Sequence, residues 1–166
     1  MNRGAIPVLV ERTLLIAADH PDPAVIEQLV SFQRGGHRLL LVAPRPIRWR
    51  PTRKAVDRDL AIQQELHQCF TRAGAEIDGV YYLAAGLFKR RGAMARELDG
   101  IAQRYERKID QIALIGNNAA LLDAYAAAGG PVLAVGKSTS ENARSKNAQR
   151  VDTLADALSA LAERSD

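Results

Sequence analysis

Short apolar runs alternate with longer segments of helical periodicity along this chain, and this alternation restricts its fold more than any other feature. Strands are predicted at 13–18, 38–43, 79–84, 111–115 and 132–135. Helices are predicted at 23–35, 55–73, 92–106, 118–128 and 152–163. Strands joined by helices predict right-handed crossovers and a three-layer α/β/α fold, with a mainly parallel sheet of five or six strands. The 166 residues fit a single domain, with its core at about 13–163.

Positive charge is concentrated in residues 45–58, which hold six basic side chains and one acidic side chain. The remaining residues hold 17 basic and 18 acidic side chains, so they are nearly neutral, although the whole chain carries +4. This distribution differs from that of histone-like and ribosomal polycations. Nucleic acid is therefore not the expected partner, and binding to an anionic surface through 45–58 is the weakest of the functional hypotheses.

The chain has one cysteine, Cys69, which excludes an intrachain disulfide framework and a multi-cysteine metal site. No apolar run approaches the roughly 20 residues that span a bilayer. The first twelve residues are too short and too soon charged for a signal peptide. The sequence therefore predicts a cytoplasmic protein that has no membrane partner.

In a parallel sheet covered by helices, ligands bind beyond the carboxyl ends of the strands. The segments that follow the predicted strands are therefore the places to look for a site: Asp19-His20, 43–50, 85–91, Gly116-Asn117-Asn118 and 136–138. The three histidines show no metal-binding spacing. A phosphate loop at Gly136-Lys137-Ser138 is excluded because Pro131 stands where its first glycine is required.

Two of these regions resemble a known family. Residues 75–82, Ala-Glu-Ile-Asp-Gly-Val-Tyr-Tyr, are similar to the segment that leads into the third strand of haloacid-dehalogenase (HAD) proteins. Residues 115–118, with the alanine-rich helix that runs to Gly129, are similar to that family's fourth-strand loop. The likeness extends over about 13–160. It is to the branch of D-glycero-D-manno-heptose 1,7-bisphosphate phosphatases and histidinol phosphatases, and it implies a HAD-like Rossmannoid domain.

The resemblance also implies a degenerate catalytic centre. Family members use an aspartate nucleophile, an acid/base aspartate two residues later, a Ser or Thr after the second strand, and aspartates that hold Mg²⁺. Aligned on the predicted first strand, Ala17 stands at the nucleophile and Asp19 at the acid/base position. Ala43 replaces the hydroxyl residue, and Asn117 and Leu121 replace the metal-binding aspartates. No cofactor is therefore expected, and Mg²⁺ is expected only if the protein is an active phosphatase.

Basic groups of the family's site are retained. Lys89 stands near the place of the phosphate-binding lysine, and Arg50 near that of a substrate-binding arginine. Arg48 adds a second guanidinium, and such groups bind phosphate or carboxylate with two hydrogen bonds. Together with Asn117 these are the predicted ligand-binding residues. Alternatively, the basic segment is a solvated loop.

Asp19 is open to two interpretations. Either it is the retained catalytic acid, or it is a turn or helix-capping residue before Pro21 and Pro23. A register two residues later would make it the nucleophile, with His20 or Asp22 as its partner. The favoured function is a catalytically inactive HAD-like protein that binds an anionic small molecule, phosphorylated ligand or partner. The alternative is an active phosphatase on a small phosphorylated sugar or metabolite. The sequence does not predict an oligomeric state.

Overall fold

A computed structural model describes residues 7–45, 52–84, 91–136 and 148–164. Six strands form one parallel sheet in the order β5-β4-β1-β6-β7-β8. Their bounds are Pro7–Glu11 (β1), Arg38–Arg45 (β4), Gly79–Ala84 (β5), Ala113–Gly116 (β6), Val132–Val135 (β7) and Ala148–Val151 (β8). Two further strands, Ile16–Ala17 (β2) and His20–Pro21 (β3), form a small antiparallel hairpin.

The helices cover the two faces of the sheet. They are Pro23–Arg34 (α1), Arg53–Arg72 (α2), Arg91–Arg104 (α3), Ala119–Ala127 (α4) and Leu154–Glu163 (α5). Buried apolar side chains of α1, α2 and α5 form one core cluster with the sheet, and those of α3 and α4 form another on the opposite face. Four helices begin at a residue whose side chain accepts a backbone N–H: Asp22, Thr52, Asn118 and Thr153. The three-layer α/β/α prediction is confirmed.

Strand β1 occupies the centre of the sheet, where it pairs with β4 on one side and β6 on the other. From β1 the chain moves outward through β4 to β5, and then crosses back to β6, β7 and β8. The strand order therefore reverses at β1. In open α/β sheets, ligands bind at such a switch point, beyond the carboxyl ends of the strands. The residues that follow Val10 are thus the best placed for a site.

The prediction of a first strand at 13–18 is wrong, because the central strand is Pro7–Glu11. Residues Val8, Leu9 and Val10 are all buried, as a strand covered on both faces requires. Proline is tolerated at the first position of a strand, so Pro7 does not prevent pairing. The described core therefore includes Pro7–Glu11, which precede the predicted core boundary at about residue 13.

The apolar run at 13–18 has a different structural role. Arg12–Leu15 is a 3-10 turn that buries Leu15 completely, and β2 and β3 follow as a hairpin. The two central residues of the hairpin turn, Ala18 and Asp19, have φ values of 50° and 65°. Two positive φ angles match the twist of a tight hairpin, but they are normally taken by Gly or Asn. Because no Gly or Asn marks this turn, the sequence did not predict a hairpin here.

The other four predicted strands are confirmed within two residues of their ends, and each predicted helix is present. Strand β8 was missed, because two of its four side chains are exposed and it lies at the edge of the sheet. Its polar residues gave no apolar signal. No helix in the described part of the chain is long and apolar enough to cross a membrane.

Candidate functional site

Glu11 is the last residue of β1, and its side chain lies at the carboxyl edge of the sheet. It is 2% exposed and is the one charged residue buried among those that the structure describes. Its Oε2 accepts the backbone N–H of Asn117 at 2.7 Å and that of Asn118 at 2.9 Å. Its Oε1 accepts the Thr13 hydroxyl at 2.9 Å. Three hydrogen bonds therefore compensate the burial of this carboxylate.

The Glu11 carboxylate also lies at the start of a helix. Asn118 is the N-cap of α4, and its Oδ1 accepts the N–H of Leu121 at 3.0 Å. The N-terminal end of a helix carries partial positive charge and presents unpaired N–H groups, which makes it a common site for anions. Here the chain's own carboxylate takes the first N–H donors before α4. An external anion would have to displace Glu11 to reach them.

Gly116 provides the room for this arrangement. A Cβ at this position would lie 2.6 Å from Glu11 Oε2 and 3.3 Å from Leu122 Cδ2. The first distance is well below a normal van der Waals contact. A glycine at the end of β6 is therefore required for the carboxylate of β1 to approach the backbone of the next loop.

Arg12 follows Glu11 in the chain, and its side chain contacts α2 and β5. Its Nη2 lies 2.5 Å from Asp59 Oδ1 on α2, and its Nη1 donates to the Tyr82 hydroxyl at 3.1 Å. The Tyr82 hydroxyl donates to Asp59 Oδ2 at 2.7 Å. Burial opposes the charge on the guanidinium, but Asp59 and Tyr82 outweigh it, so the pKa of Arg12 is raised. Arg12 therefore stays charged and ties β1 to α2 and β5.

The β2-β3 hairpin is held to α2 by two exposed polar contacts. Arg58 Nη2 lies 2.5 Å from Asp19 Oδ2, and His20 Nδ1 lies 3.2 Å from Glu65 Oε2. Between hairpin and helix is an open groove of about 440 Å³, lined by Arg12, Thr13, Ile16, Ala18, Asp19 and Ile62. Its lining combines three polar residues, Arg12, Thr13 and Asp19, with three apolar residues, Ile16, Ala18 and Ile62.

The structure places the predicted residues as follows. Asp19 lies in the hairpin turn with 66% of its side chain exposed, as its interpretation as a turn residue predicts. The cap of α1 is Asp22, whose side chain accepts the N–H of Ala24. Ala17 is exposed on β2, and neither it nor Asp19 lies at the end of a strand of the main sheet. The alignment that placed Ala17 at the end of the central strand is therefore wrong.

The remaining predicted residues fall into two groups. Ala43 is buried near the end of β4, and Leu121 is fully buried in α4. Asn117 is exposed directly after β6 and contacts Glu11 through its backbone, whereas Asn118 caps α4. Three more ligand-binding predictions lie outside the described residues: Arg48, Arg50 and Lys89.

Sequence reasoning missed Glu11, Arg12 and Thr13, although a signal for them exists. The run Val8-Leu9-Val10 is apolar and ends at an acidic residue, which is the pattern that drew attention to Asp19. The run is short, begins at a proline and lies close to the start of the sequence. The longer run at 13–18 was therefore preferred.

The first turn of α2 carries Arg53 and Lys54, both exposed, and no acidic residue. Cations at a helix N-terminus oppose the helix dipole and cost about 0.3–1 kcal/mol each. This helix begins at the carboxyl edge of the sheet, after β4. The arrangement places two exposed cationic side chains at the same edge of the sheet as Glu11.

No family model matches the sequence, and no match is found among the curated proteins. Solved structures do match. D,D-heptose 1,7-bisphosphate phosphatase from B. bronchiseptica, complexed with magnesium and phosphate, is 15% identical with a TM-score of 0.69, over 95% of this chain and 98% of that chain. The same enzyme from Burkholderia thailandensis is 19% identical with a TM-score of 0.61, over 93% and 97%. A cobalt-bound deoxy-D-mannose-octulosonate 8-phosphate phosphatase from Haemophilus influenzae is 14% identical with a TM-score of 0.51, over 98% and 91%. These likenesses concern the fold.

Proposed function

We propose that this protein, whose fold is that of the HAD phosphatases, does not hydrolyse phosphate esters and binds an anionic ligand or partner at the carboxyl edge of its sheet. The observation that carries the proposal is the burial and hydrogen bonding of the Glu11 side chain. Its carboxylate is buried and accepts N–H groups from Asn117 and Asn118. A carboxylate that accepts three hydrogen bonds is a weaker nucleophile, because these bonds stabilise its negative charge.

The neighbouring residues support the same conclusion. Thr13, two residues after Glu11, has a hydroxyl group, which is a far weaker proton donor at neutral pH than a carboxylic acid. Ala43 on the adjacent strand has no hydrogen-bonding side chain. Phosphoryl transfer needs groups that stabilise the charge on the transferred phosphate, and these positions do not supply them.

We propose further that the protein acts without a resident Mg²⁺. Mg²⁺ prefers several oxygen ligands and binds through carboxylates. Among the described residues no group of three His, Cys, Asp or Glu side chains could hold a metal ion. At the edge itself, Glu11 Oε2 already faces two N–H donors, which would repel a cation. The residues present therefore do not fit this ion.

The anionic ligand is inferred from the charge at this edge. Arg53 and Lys54 begin α2 despite the cost of placing cations there. We propose that Arg48, Arg50, Lys89 and Asn117 contribute to the same binding region, with guanidinium groups as the main contacts. The cytoplasmic location also remains a prediction from the sequence.

Calorimetric titration with inorganic phosphate and pyrophosphate tests the binding. We expect saturable binding that weakens at high salt and falls at least fivefold in Arg53→Ala. Arg72→Ala is the matched control, since it removes the same charge from an exposed position at the other end of α2. Equal binding by wild type and Arg53→Ala, or no binding at low salt, would contradict the anion site.

The alternative function, a phosphatase on a small phosphorylated sugar or metabolite, has one structural observation in its favour. Glu11 supplies a carboxylate at the end of the central strand, where the sequence alignment had placed Ala17. If Glu11 were the nucleophile, Mg²⁺-dependent release of phosphate would be lost in Glu11→Gln. Measuring the release of phosphate by wild type and Glu11→Gln therefore decides between the two functions.

A further inference from the structure

The groove between the β2-β3 hairpin and α2 adjoins Glu11 at the carboxyl edge of the sheet. Thr13 lines the groove and also takes part in the hydrogen bonds of Glu11, because its hydroxyl donates to Glu11 Oε1 at 2.9 Å. The volume of the groove, about 440 Å³, is within the range of sites that hold small molecules. A ligand bound at this edge therefore has room in the groove for part of its structure.

Apolar side chains form half of the groove lining. Ile16 on β2 and Ile62 on α2 are half-buried, and Ala18 in the hairpin turn is exposed. Both isoleucines also pack against the core cluster on this face of the sheet, which holds them in place. An apolar group that contacts these side chains would be removed from water without breaking hydrogen bonds, and such burial is favourable.

The polar side chains of the groove already have partners within the chain. Arg12 contacts Asp59 and Tyr82, Thr13 donates to Glu11, and Asp19 contacts Arg58. A sugar that entered the groove would lose hydrogen bonds to water at its hydroxyl groups and would find few free groups to replace them. The groove therefore favours a ligand whose body has no hydroxyl groups.

One flank of α2 brings a positive charge to the groove. Lys54, Arg58 and Ile62 are four residues apart, so they follow one another on this flank at intervals of about 6 Å along the helix axis. The contact of Arg58 with Asp19 shows that this flank faces the hairpin. Lys54 is exposed in the first turn, at the carboxyl edge. Asp57 is three residues from Lys54 on the side away from Ile62, and it does not line the groove.

The acidic groups around the groove are compatible with an anionic ligand, because each lies beside a basic group. These pairs are Asp59 with Arg12, Asp19 with Arg58, and Glu65 with His20. Lys54 forms no ion pair with another described residue, so its charge adds to these pairs. The charge beside the groove thus complements an anion at the end marked by Lys54.

We infer that the ligand of the proposed anion site is a small organic anion whose body is one compact apolar group, such as a single ring, and not a sugar. This inference rests on the proposed function and adds the class of ligand. The anionic group lies at Lys54, and the apolar body contacts Ile16, Ala18 and Ile62. Burial of the body supplies affinity that an inorganic anion does not obtain.

Calorimetric titration with two matched phosphonates tests the inference. Methylphosphonate and phenylphosphonate share a head group that phosphatases do not hydrolyse, and they differ in the size of their apolar body. We expect phenylphosphonate to bind at least tenfold more tightly than methylphosphonate. Glucose 6-phosphate should bind no more tightly than methylphosphonate. Lys54→Ala should weaken the binding of both phosphonates at least fivefold.

Ile62→Ser tests the contribution of the groove. It should reduce the preference for phenylphosphonate over methylphosphonate at least fivefold. Leu60→Ser is the matched control, because Leu60 is a more exposed apolar residue of the same helix and does not line the groove. It should keep the preference of wild type, and circular dichroism should show that both variants are folded.

Methyl NMR of wild type locates the ligand without any substitution. The δ-methyl signal of Ile62 should shift to saturation with phenylphosphonate. That of Ile109, which lines a separate cavity before β6 at the opposite edge of the sheet, should not shift.

The outcomes separate this inference from the proposed function. If none of the three ligands binds, both are contradicted. If methylphosphonate binds as tightly as phenylphosphonate, if glucose 6-phosphate binds more tightly than methylphosphonate, or if the Ile62 signal does not shift, the inference alone is overturned. Binding of phenylphosphonate that is unchanged in Lys54→Ala, or a preference that Ile62→Ser leaves intact, would overturn it as well.

Discussion

The backbone N–H of Asn117 donates to the buried carboxylate of Glu11 at 2.7 Å, and this contact joins the central strand to the loop before α4. The two residues are 106 positions apart in the chain. The contact places a negative charge at the N-terminal end of a helix, where it is favourable. It also occupies the part of the sheet edge at which ligands bind in this class of fold. The contact thus supports a structural role for Glu11.

Replacing Glu11 by alanine should therefore destabilise the protein. The N–H groups of Asn117 and Asn118 lose their acceptor, and we expect a loss of about 1–3 kcal/mol in the free energy of unfolding. Glu11→Gln keeps one acceptor oxygen without the charge and should lose less. Urea denaturation measures both variants. Glu27→Gln, at an exposed position on α1, is the control and should stay within about 0.5 kcal/mol. A Glu11→Ala protein as stable as wild type would show that the contact contributes nothing.

Gly116→Ala tests the close approach of the same carboxylate. The new Cβ would lie 2.6 Å from Glu11 Oε2, so we expect a loss of about 1–3 kcal/mol from forced displacement. In a Glu11→Ala background the clash is removed, and the second substitution should cost at least about 1 kcal/mol less. Gly100→Ala is the control, because a Cβ there meets nothing within 4 Å and should stabilise α3 by up to about 1 kcal/mol. Additive effects of the two substitutions would rule out this packing.

Asp59→Asn tests the connection between β1, α2 and β5. Arg12 is largely buried beside Asp59, with 14% of its side chain exposed, so it would be left with a weaker partner. We expect a loss of about 1–3 kcal/mol in urea denaturation. Asp57→Asn removes a charge from an exposed position of the same helix and should be nearly neutral. Similar losses in the two variants would mean that general charge on α2, and not the Arg12 contact, is responsible.

The tyrosines predict how stability depends on alkaline pH. Burial raises the pKa of Tyr125, whose hydroxyl donates to Ile112 O at 2.6 Å, and burial also raises the pKa of Tyr82 and Tyr105. The folded protein therefore keeps protons that the unfolded chain loses above pH ~10. Stability should be unaffected below that pH and fall as pH rises beyond it, more shallowly in Tyr125→Phe. Ultraviolet titration should show most tyrosine ionisation accompanying unfolding. Full ionisation in the folded protein would contradict this.

The periodicity of the sequence was sufficient to predict most of the helices and strands of the fold. The strand at 132–135 forms where the residues predict it, because burial on both sheet faces leaves a continuous apolar signal. The helix after Asp22 also forms as predicted, because Asp22 and Pro23 are a local start signal. The central strand was misplaced for a specific reason. Leu15 and its neighbours are apolar because they pack on the core from a 3-10 turn, and sequence alone does not distinguish that from a strand.

The site was harder to predict than the fold. The distance between Glu11 and Asn117 depends on the pairing of β1 with β6, which no local pattern encodes. Asp19, like Glu11, is an acidic residue that follows an apolar run. The run before Asp19 is the longer one, so the resemblance was aligned there. The capping contact of Asn118, by contrast, joins residues three positions apart, and local spacing can indicate a contact of this kind. Local chemistry was thus predictable, and contacts across the sheet were not.

The central claim, that Glu11 is a structural and not a catalytic residue, is tested most directly by the release of phosphate. Wild type and Glu11→Gln are incubated with Mg²⁺ and a panel of phosphorylated sugars and other phosphate monoesters, with Glu27→Gln as the control. We expect no release above background from any of the three proteins. Mg²⁺-dependent turnover by wild type and Glu27→Gln that disappears in folded Glu11→Gln would contradict it.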